Sequence, residues 1–474
     1  MTAPELIFGS GYSLFALISA LGLVLFFATL LHAEQHYGHW AQPAIIPFIA
    51  LGICVNSLLS GRNLRNAATD LTLGIDGTVG DSSLILRLLT VTILGISLAR
   101  VVGQWLRRRD ATATGGTDLF VAFTAFFVAH TVLNSIFGTS PVFIHNIFYA
   151  VAVFAAIYAA RRESIAVTIS FAKLALFSLM LLSLVAAVAT PGLAVEPGYK
   201  GWIPGLTIRL WGVGSNANSI GPLALVALLV EYMQPYRKRW LHGFVLLMSL
   251  LVFVLAQSKT VWVVALVLIP TLFWYRIAKP KRGIDIRIAL LLIGVASLAF
   301  ISLLILDPIS LWENIVITRE GSQVTTLTGR SQIWSVAFNE WMNNPLFGYG
   351  PDIWGPAYRA RIGLQFAFSA HNQFLESLSA AGALGLVSLL IYLWLLGRYA
   401  WRAAAETKGV SVALFMLVLL RCMTETPLTL STLFNGDFLT HLLLFAICID
   451  RVGAAANTIP AVSHAQIASV YKNS

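Results

Sequence analysis

Charge is what this chain of 474 residues most lacks. Only 11% of it is Asp, Glu, Lys or Arg, against about a quarter in soluble domains. With 58% hydrophobic residues and a mean hydropathy of +0.80, too little polar surface remains to coat a soluble globule of this size. Disorder and collagen-like structure are excluded on the same ground. Cysteine is nearly absent as well. Cys54, Cys422 and Cys448 all lie inside apolar runs, without metal spacing or a disulfide frame, and read as small core hydrophobes. No Asp-x-Asp or clustered carboxylate motif occurs, and there is no P-loop, dinucleotide fingerprint, Ser-His-Asp order or zinc-protease helix. No basic segment precedes the first apolar run, so a cleavable signal peptide is not expected. Repeats of 20–50 residues are missing, which excludes a solenoid.

What is present is a series of apolar runs, near 12–32, 42–60, 84–106, 117–137, 141–160, 167–190, 217–233, 241–257, 260–277, 288–306, 373–397, 410–423 and 434–450. At about 20 residues per crossing, they predict an all-α polytopic membrane protein of 12–13 transmembrane helices. The expected organisation is a membrane domain over 1–306, with an external loop at 191–216. A large external loop follows over 307–372, then last spans over 373–450 and a disordered tail over 451–474. Basic residues set the orientation. Arg107–Arg109, Arg161/Arg162, Arg237–Arg239, Arg276–Arg287 and Arg398–Lys408 fall on alternate loops and, with Arg451 and Lys472, hold more than half of the 31 basic residues. That side is expected to be cytoplasmic. The net charge of +10 is then a topology signal, and a nucleic-acid partner is not implied. The loop Gly61–Asp81, external on this count, carries two arginines against the rule.

The 307–372 loop is far longer than a connector needs. Within it, Trp334, Ala337, Phe338 and Trp341 recur at helical spacing, predicting an amphipathic helix in the interface plane. Thr328 is placed to cap it and Asn343-Asn344-Pro345 to stop it. Phe347-Gly348-Tyr349-Gly350-Pro351 predicts a tight turn whose glycines admit a ligand or another helix. In the earlier loop a helix is expected to start near Ser219, its free N–H groups and Arg209 favouring an anion. Arg209, Lys259, Arg330 and His371 thus gather at one membrane edge from three loops. Snorkelling to headgroups explains any one of them; the four together, beside glycine turns and a capping helix, point to a site.

Gly329-Arg330, Trp334, Asn344-Pro345-Leu346-Phe347-Gly348-Tyr349-Gly350, His371-Asn372 and Gly382-Ala383-Leu384-Gly385, in that order, resemble the O-antigen ligase and polysaccharide polymerase family. Arg209-x-x-Gly212 with Asn218 and Gly221 resembles that family's other external motif, while Ser258-Lys259 stands where many members have Ser-Arg. The resemblance implies a GT-C-like inner-membrane glycosyltransferase with a periplasmic site. Its donor would be a glycan on undecaprenyl pyrophosphate. Its acceptor would be either another lipid-linked repeat unit (polymerase, which the Asn-Pro-Leu-Phe-Gly-Tyr-Gly stretch favours) or lipid A core (ligase). It implies no metal and no other cofactor, and partners among polysaccharide assembly proteins.

The resemblance implies the reacting roles of Arg209, Arg330 and His371, and the chemistry suits them. Breaking the anomeric C–O bond leaves negative charge on a departing pyrophosphate, which fixed cations can hold. Arginine stays charged and forks onto phosphate oxygens, so Arg209 and Arg330 are expected on the pyrophosphate with Lys259 beside them. An imidazole titrates near neutral pH, and His371 is expected as the base for the acceptor hydroxyl, inverting the anomeric centre. Asn372, Tyr349, Asn218, Gly348 and Gly350 are expected at the substrate. Trp334 and Trp341 would stack on sugar or prenyl chain, or simply anchor the helix in the membrane. Elsewhere, Arg421 and Glu425 are expected to pair at i,i+4, Asp437 to be a second external acid, and Arg100 to snorkel. His130 with Asn134 is expected to join helices, and His32, His36 and His39 share a helix face at metal-ligand spacing. Two other classes remain open. A transporter would place its polar groups at mid-membrane depth in broken helices. A non-catalytic scaffold would tolerate loss of Arg209 or His371.

Overall fold

The structure is a computed structural model. It describes residues 43–66, 83–106, 115–278 (apart from 144, 162–164, 200, 202 and 204) and 330–456, with parts of 17–36. The expected span 288–306, Thr328, Gly329, His39 and the tail beyond 456 lie outside the described residues.

Apolar runs become helices because a chain without water to bond its amides must pair them within itself. The helices are α1 (Ile45–Leu59), α2 (Leu84–Leu106), α3 (Thr117–Phe127), α4 (Tyr149–Ala159), α5 (Ile165–Ala189), α6 (Ala217–Met233), α7 (Arg239–Leu255) and α8 (Lys259–Ala278). After them come α9 (Arg330–Asn343), α10 (Pro356–Ile362), α11 (Gln373–Ala403), α12 (Val410–Arg421) and α13 (Gly436–Ala456). Among the described residues, five helical stretches are long and apolar enough to cross a membrane by length and composition, and seven shorter apolar helices stand beside them. The chain is an all-α multi-pass membrane protein. Its apolar side chains divide accordingly: Phe123, Phe154, Tyr392, Phe438 and Phe445 are fully buried between helices, while Leu88, Leu98, Leu266 and Trp394 face outward.

Two irregularities shape the bundle. Helix α3 continues through a π-helical stretch, Val128–Leu133, to Phe137. Helix α11, at 31 residues about 46 Å long by helical rise, is interrupted at Gly382, whose φ of 65° and ψ of −161° are not helical. The Asn344–Gly350 stretch fills the interruption. Pro345 and Leu346 carbonyls accept from Ala383 and Leu384, and Tyr349 and Gly350 N–H groups donate to Ser379 and Ala380. On its other side Gly348 and Tyr349 carbonyls accept from Thr139 and Ser140, and Asn134 Nδ2 donates to the Ala380 carbonyl. Asn134 thus joins α3 to α11 as expected, while His130 bonds within its own helix to the Phe126 carbonyl. Close approach explains the glycines here: a Cβ on Gly348 would stand 2.6 Å from the Ala380 carbonyl carbon, and one on Gly382 2.3 Å from that of Leu346.

Arg100 is fully buried in α2 rather than snorkelling. Arg62 accounts for a misplaced positive charge in the 61–81 loop. Its Nε donates to the Leu193 carbonyl, Nη1 to Gly214 and Ser215, and Nη2 to Gly212. The guanidinium is spent on the neighbouring loop, not on a membrane surface, and burial lowers its pKa to about 10. At the opposite end of the bundle, Lys173 pairs with Glu231 at 2.9 Å, Glu231 also meets His242, and Lys408 holds the Met233 carbonyl.

Candidate active site

Arg209 is brought forward by a short antiparallel ribbon, β1 (Val195–Pro197) with β2 (Ile208–Leu210), in which it lies opposite Glu196. Its Nε donates to the Ala256 carbonyl, its guanidinium lies over the Tyr199 ring, and its Nη2 donates to Asn218 Oδ1 at 2.9 Å. Asn218 sits in the first turn of α6, which begins at Ala217, two residues earlier than expected. Ser258, at the α7–α8 joint, donates to the same Asn218 oxygen at 3.2 Å. With its oxygen held by two donors, the Asn218 amide must point its Nδ2 the other way, and it donates to Glu425 Oε1 at 3.1 Å.

Glu425 is the hub. Beyond Asn218 it meets His371 Nδ1 through Oε2 at 3.0 Å and Arg330 Nη2 through Oε1 at 3.6 Å. Burial by itself pushes its carboxyl up. The His371 hydrogen bond and the charges of His371, Arg421 and Arg330 outweigh burial and hold it below the usual carboxylate value. Arg330 opens α9 and His371 stands just ahead of α11, so three separate stretches of chain meet on one carboxylate. His371 has a φ of +48°, a backbone conformation uncommon outside glycine that the surrounding contacts must maintain. Gln257, beside Ser258, has a φ of +45°.

The structure therefore brings Arg209, Asn218, Arg330 and His371 together. Lys259 directly follows Ser258 at the start of α8. Sequence reasoning gave Glu425 a different partner. It is not in an i,i+4 ion pair with Arg421: Arg421 pairs with Asp437 and donates Nη2 to the Asn218 carbonyl at 2.9 Å, which leaves the Glu425 side chain to the site. The available signal was the position of Glu425, an acid between two apolar runs at the same edge as His371.

Several residues expected at the substrate serve the scaffold. Asn372 caps α11, its Oδ1 accepting from Phe374 and Leu375 and its Nδ2 donating to the Met423 carbonyl. Tyr349 is buried, and its hydroxyl accepts from Arg361. Gly348 and Gly350 lie against helix backbone and the Ser140 carbonyl. Trp334 donates its indole N–H to the Ala370 carbonyl and Trp341 to that of Pro345.

At one end of the multi-pass bundle Arg330, the His371 imidazole and, through Asn218, Arg209 thus meet on the Glu425 carboxylate. Residues 244–390, about a third of the chain, match the family model described as O-antigen ligase. That family implies a membrane enzyme that transfers glycan. The matched stretch carries Lys259, Arg330 and His371; Arg209, Asn218 and Glu425 lie outside it. No curated protein matches the chain.

Proposed function

We propose that this protein transfers a glycan from undecaprenyl pyrophosphate to an acceptor hydroxyl at the periplasmic face of the inner membrane, without metal and with inversion. The observation that carries the reading is the meeting of Arg330, His371 and, through Asn218, Arg209 on Glu425.

With Nδ1–H donating to Glu425, His371 keeps the Nε2 lone pair for the acceptor proton, and Glu425 stabilises the imidazolium that results. The acceptor oxygen attacks the anomeric carbon as the bond to the pyrophosphate oxygen breaks, and the leaving group departs as an anion. Arg209 spends two of a guanidinium's five N–H groups on Ala256 and Asn218. The rest suit phosphate oxygens. Arg330, at 3.6 Å from Glu425, is loosely engaged and can turn to a diphosphate, with Lys259 adding charge.

On this reading the acceptor is a second lipid-linked repeat unit, and the product is a polymer. The matched family's own description favours a second acceptor, lipid A core. The test is purified protein with lipid-linked repeat units, with and without core, in EDTA. A ladder of products without core identifies the polymerase, and product only with core the ligase. Turnover that starts only when a divalent ion is supplied overturns the cation mechanism.

A further inference from the structure

Ala370, the residue before His371, has both ends of its backbone held by side chains. Its N–H donates to Glu376 Oε2 at 2.7 Å, and its carbonyl accepts from the Trp334 indole at 2.9 Å. The two side chains come from the two elements that carry the reacting groups. Trp334 stands four residues after Arg330, about one turn along α9. Glu376 stands in the first turn of α11, just behind His371. An indole has a single donor, and here it is spent on a loop carbonyl instead of on water or a headgroup. Behind the joint, Ile333 and Ala337 of α9 pack with Ala367 and Ala370 in one buried apolar cluster, so the helix is seated from both directions.

His371 needs such a hold. Its φ of +48° is not a conformation the chain keeps unaided, and its ring must reach Glu425 while Arg330 reaches the same carboxylate. We propose that Trp334 and Glu376 are positioning residues which clamp the Ala370 peptide and so set the spacing between the Arg330 guanidinium and the His371 imidazole. The proposal rests on the roles given above to Arg330 and His371. It assigns Trp334 neither to sugar stacking nor to membrane anchoring.

Trp334→Phe separates these roles, because phenylalanine keeps the aromatic face and the apolar bulk and removes only the N–H. The assay is steady-state turnover of the purified full-length protein, with undecaprenyl-pyrophosphate-linked repeat unit as substrate. A loosened His371 lowers kcat about tenfold or more, since small misplacements of a reacting group are costly, and leaves KM within about twofold. Glu376→Ala does the same, while Glu376→Gln, which keeps a carbonyl oxygen for the Ala370 N–H, restores most of kcat. An unchanged kcat in Trp334→Phe overturns the proposal, as does a raised KM with kcat intact, which would mark Trp334 as a binding residue. Should Trp334→Phe fail to accumulate, the Glu376 pair decides: equal behaviour of the Ala and Gln variants overturns it. His371→Ala, measured alongside, keeps the two levels apart. Wild-type turnover in that variant removes the underlying site reading, whereas loss of turnover there with a normal Trp334→Phe removes only the clamp.

Discussion

Glu425→Gln is the sharpest single perturbation of this site. The replacement is nearly isosteric, and its orientation is set in advance. Asn218 Nδ2 donates to Oε1, so the new amide must place its carbonyl oxygen there and turn its NH2 toward His371 Nδ1, where Oε2 stood at 3.0 Å. Two losses follow. The imidazolium formed during transfer no longer faces a negative charge. A hydrogen bond to a charged group is worth about 1.5–3 kcal/mol, which is about 10- to 150-fold in kcat. The amide also makes Nδ1 an acceptor, forces the proton onto Nε2 and blocks the base, an effect that reached about 10⁴-fold in the serine-protease triad. Glu425→Ala suffers the first loss without the second, because an unrestrained imidazole keeps access to both tautomers. The expected order of kcat is therefore wild type, then Ala, then Gln, with KM for the lipid donor little changed. Kinetics on purified, detergent-extracted protein with lipid-linked repeat units measure it. A Gln variant as fast as wild type, or faster than Ala, would refute the role of Glu425 as the group that orients His371.

Two further predictions concern the scaffold. Arg421→Met strands Asp437 without its partner and removes the bond to the Asn218 carbonyl; it should cost about 3–5 kcal/mol of stability, seen as a lower melting temperature in detergent, and the double variant Arg421→Met/Asp437→Leu should recover most of it. Gly382→Ala places a Cβ against Leu346 backbone at a φ of 65°, with no flexible side chain to give way. The expected cost is on the order of 3 kcal/mol or more, read as loss of monodisperse protein, and normal yield and melting in that variant would contradict the docking of 344–350 in the helix break.

Much of the architecture was legible along the chain. Twelve of the thirteen expected apolar runs coincide wholly or in part with an apolar helix, and the thirteenth, 288–306, lies outside the described residues. The amphipathic helix stops at Asn343, where an Asn-Pro signal stood. Such features are local, since hydropathy, helix period and proline act over a few residues. The fate of the glycine turn was not legible. Phe347-Gly348-Tyr349-Gly350 allowed either a ligand or another helix, and only the position of α11 relative to α3 decided for the helix.

Composition and pattern determined that this chain lives in a membrane, which segments are helical, and that cations and an imidazole gather at one edge. Tertiary structure alone decided which charges meet. Arg421 had two acids within reach of its long side chain, and bundle geometry gave it Asp437, freeing Glu425 for His371, Arg330 and Asn218. The physical reason is the range of the forces: backbone preferences act between neighbours in sequence, whereas a buried polar partner is chosen by distance and solvent exclusion among groups that here lie from 16 (Arg421 and Asp437) to 207 (Asn218 and Glu425) residues apart.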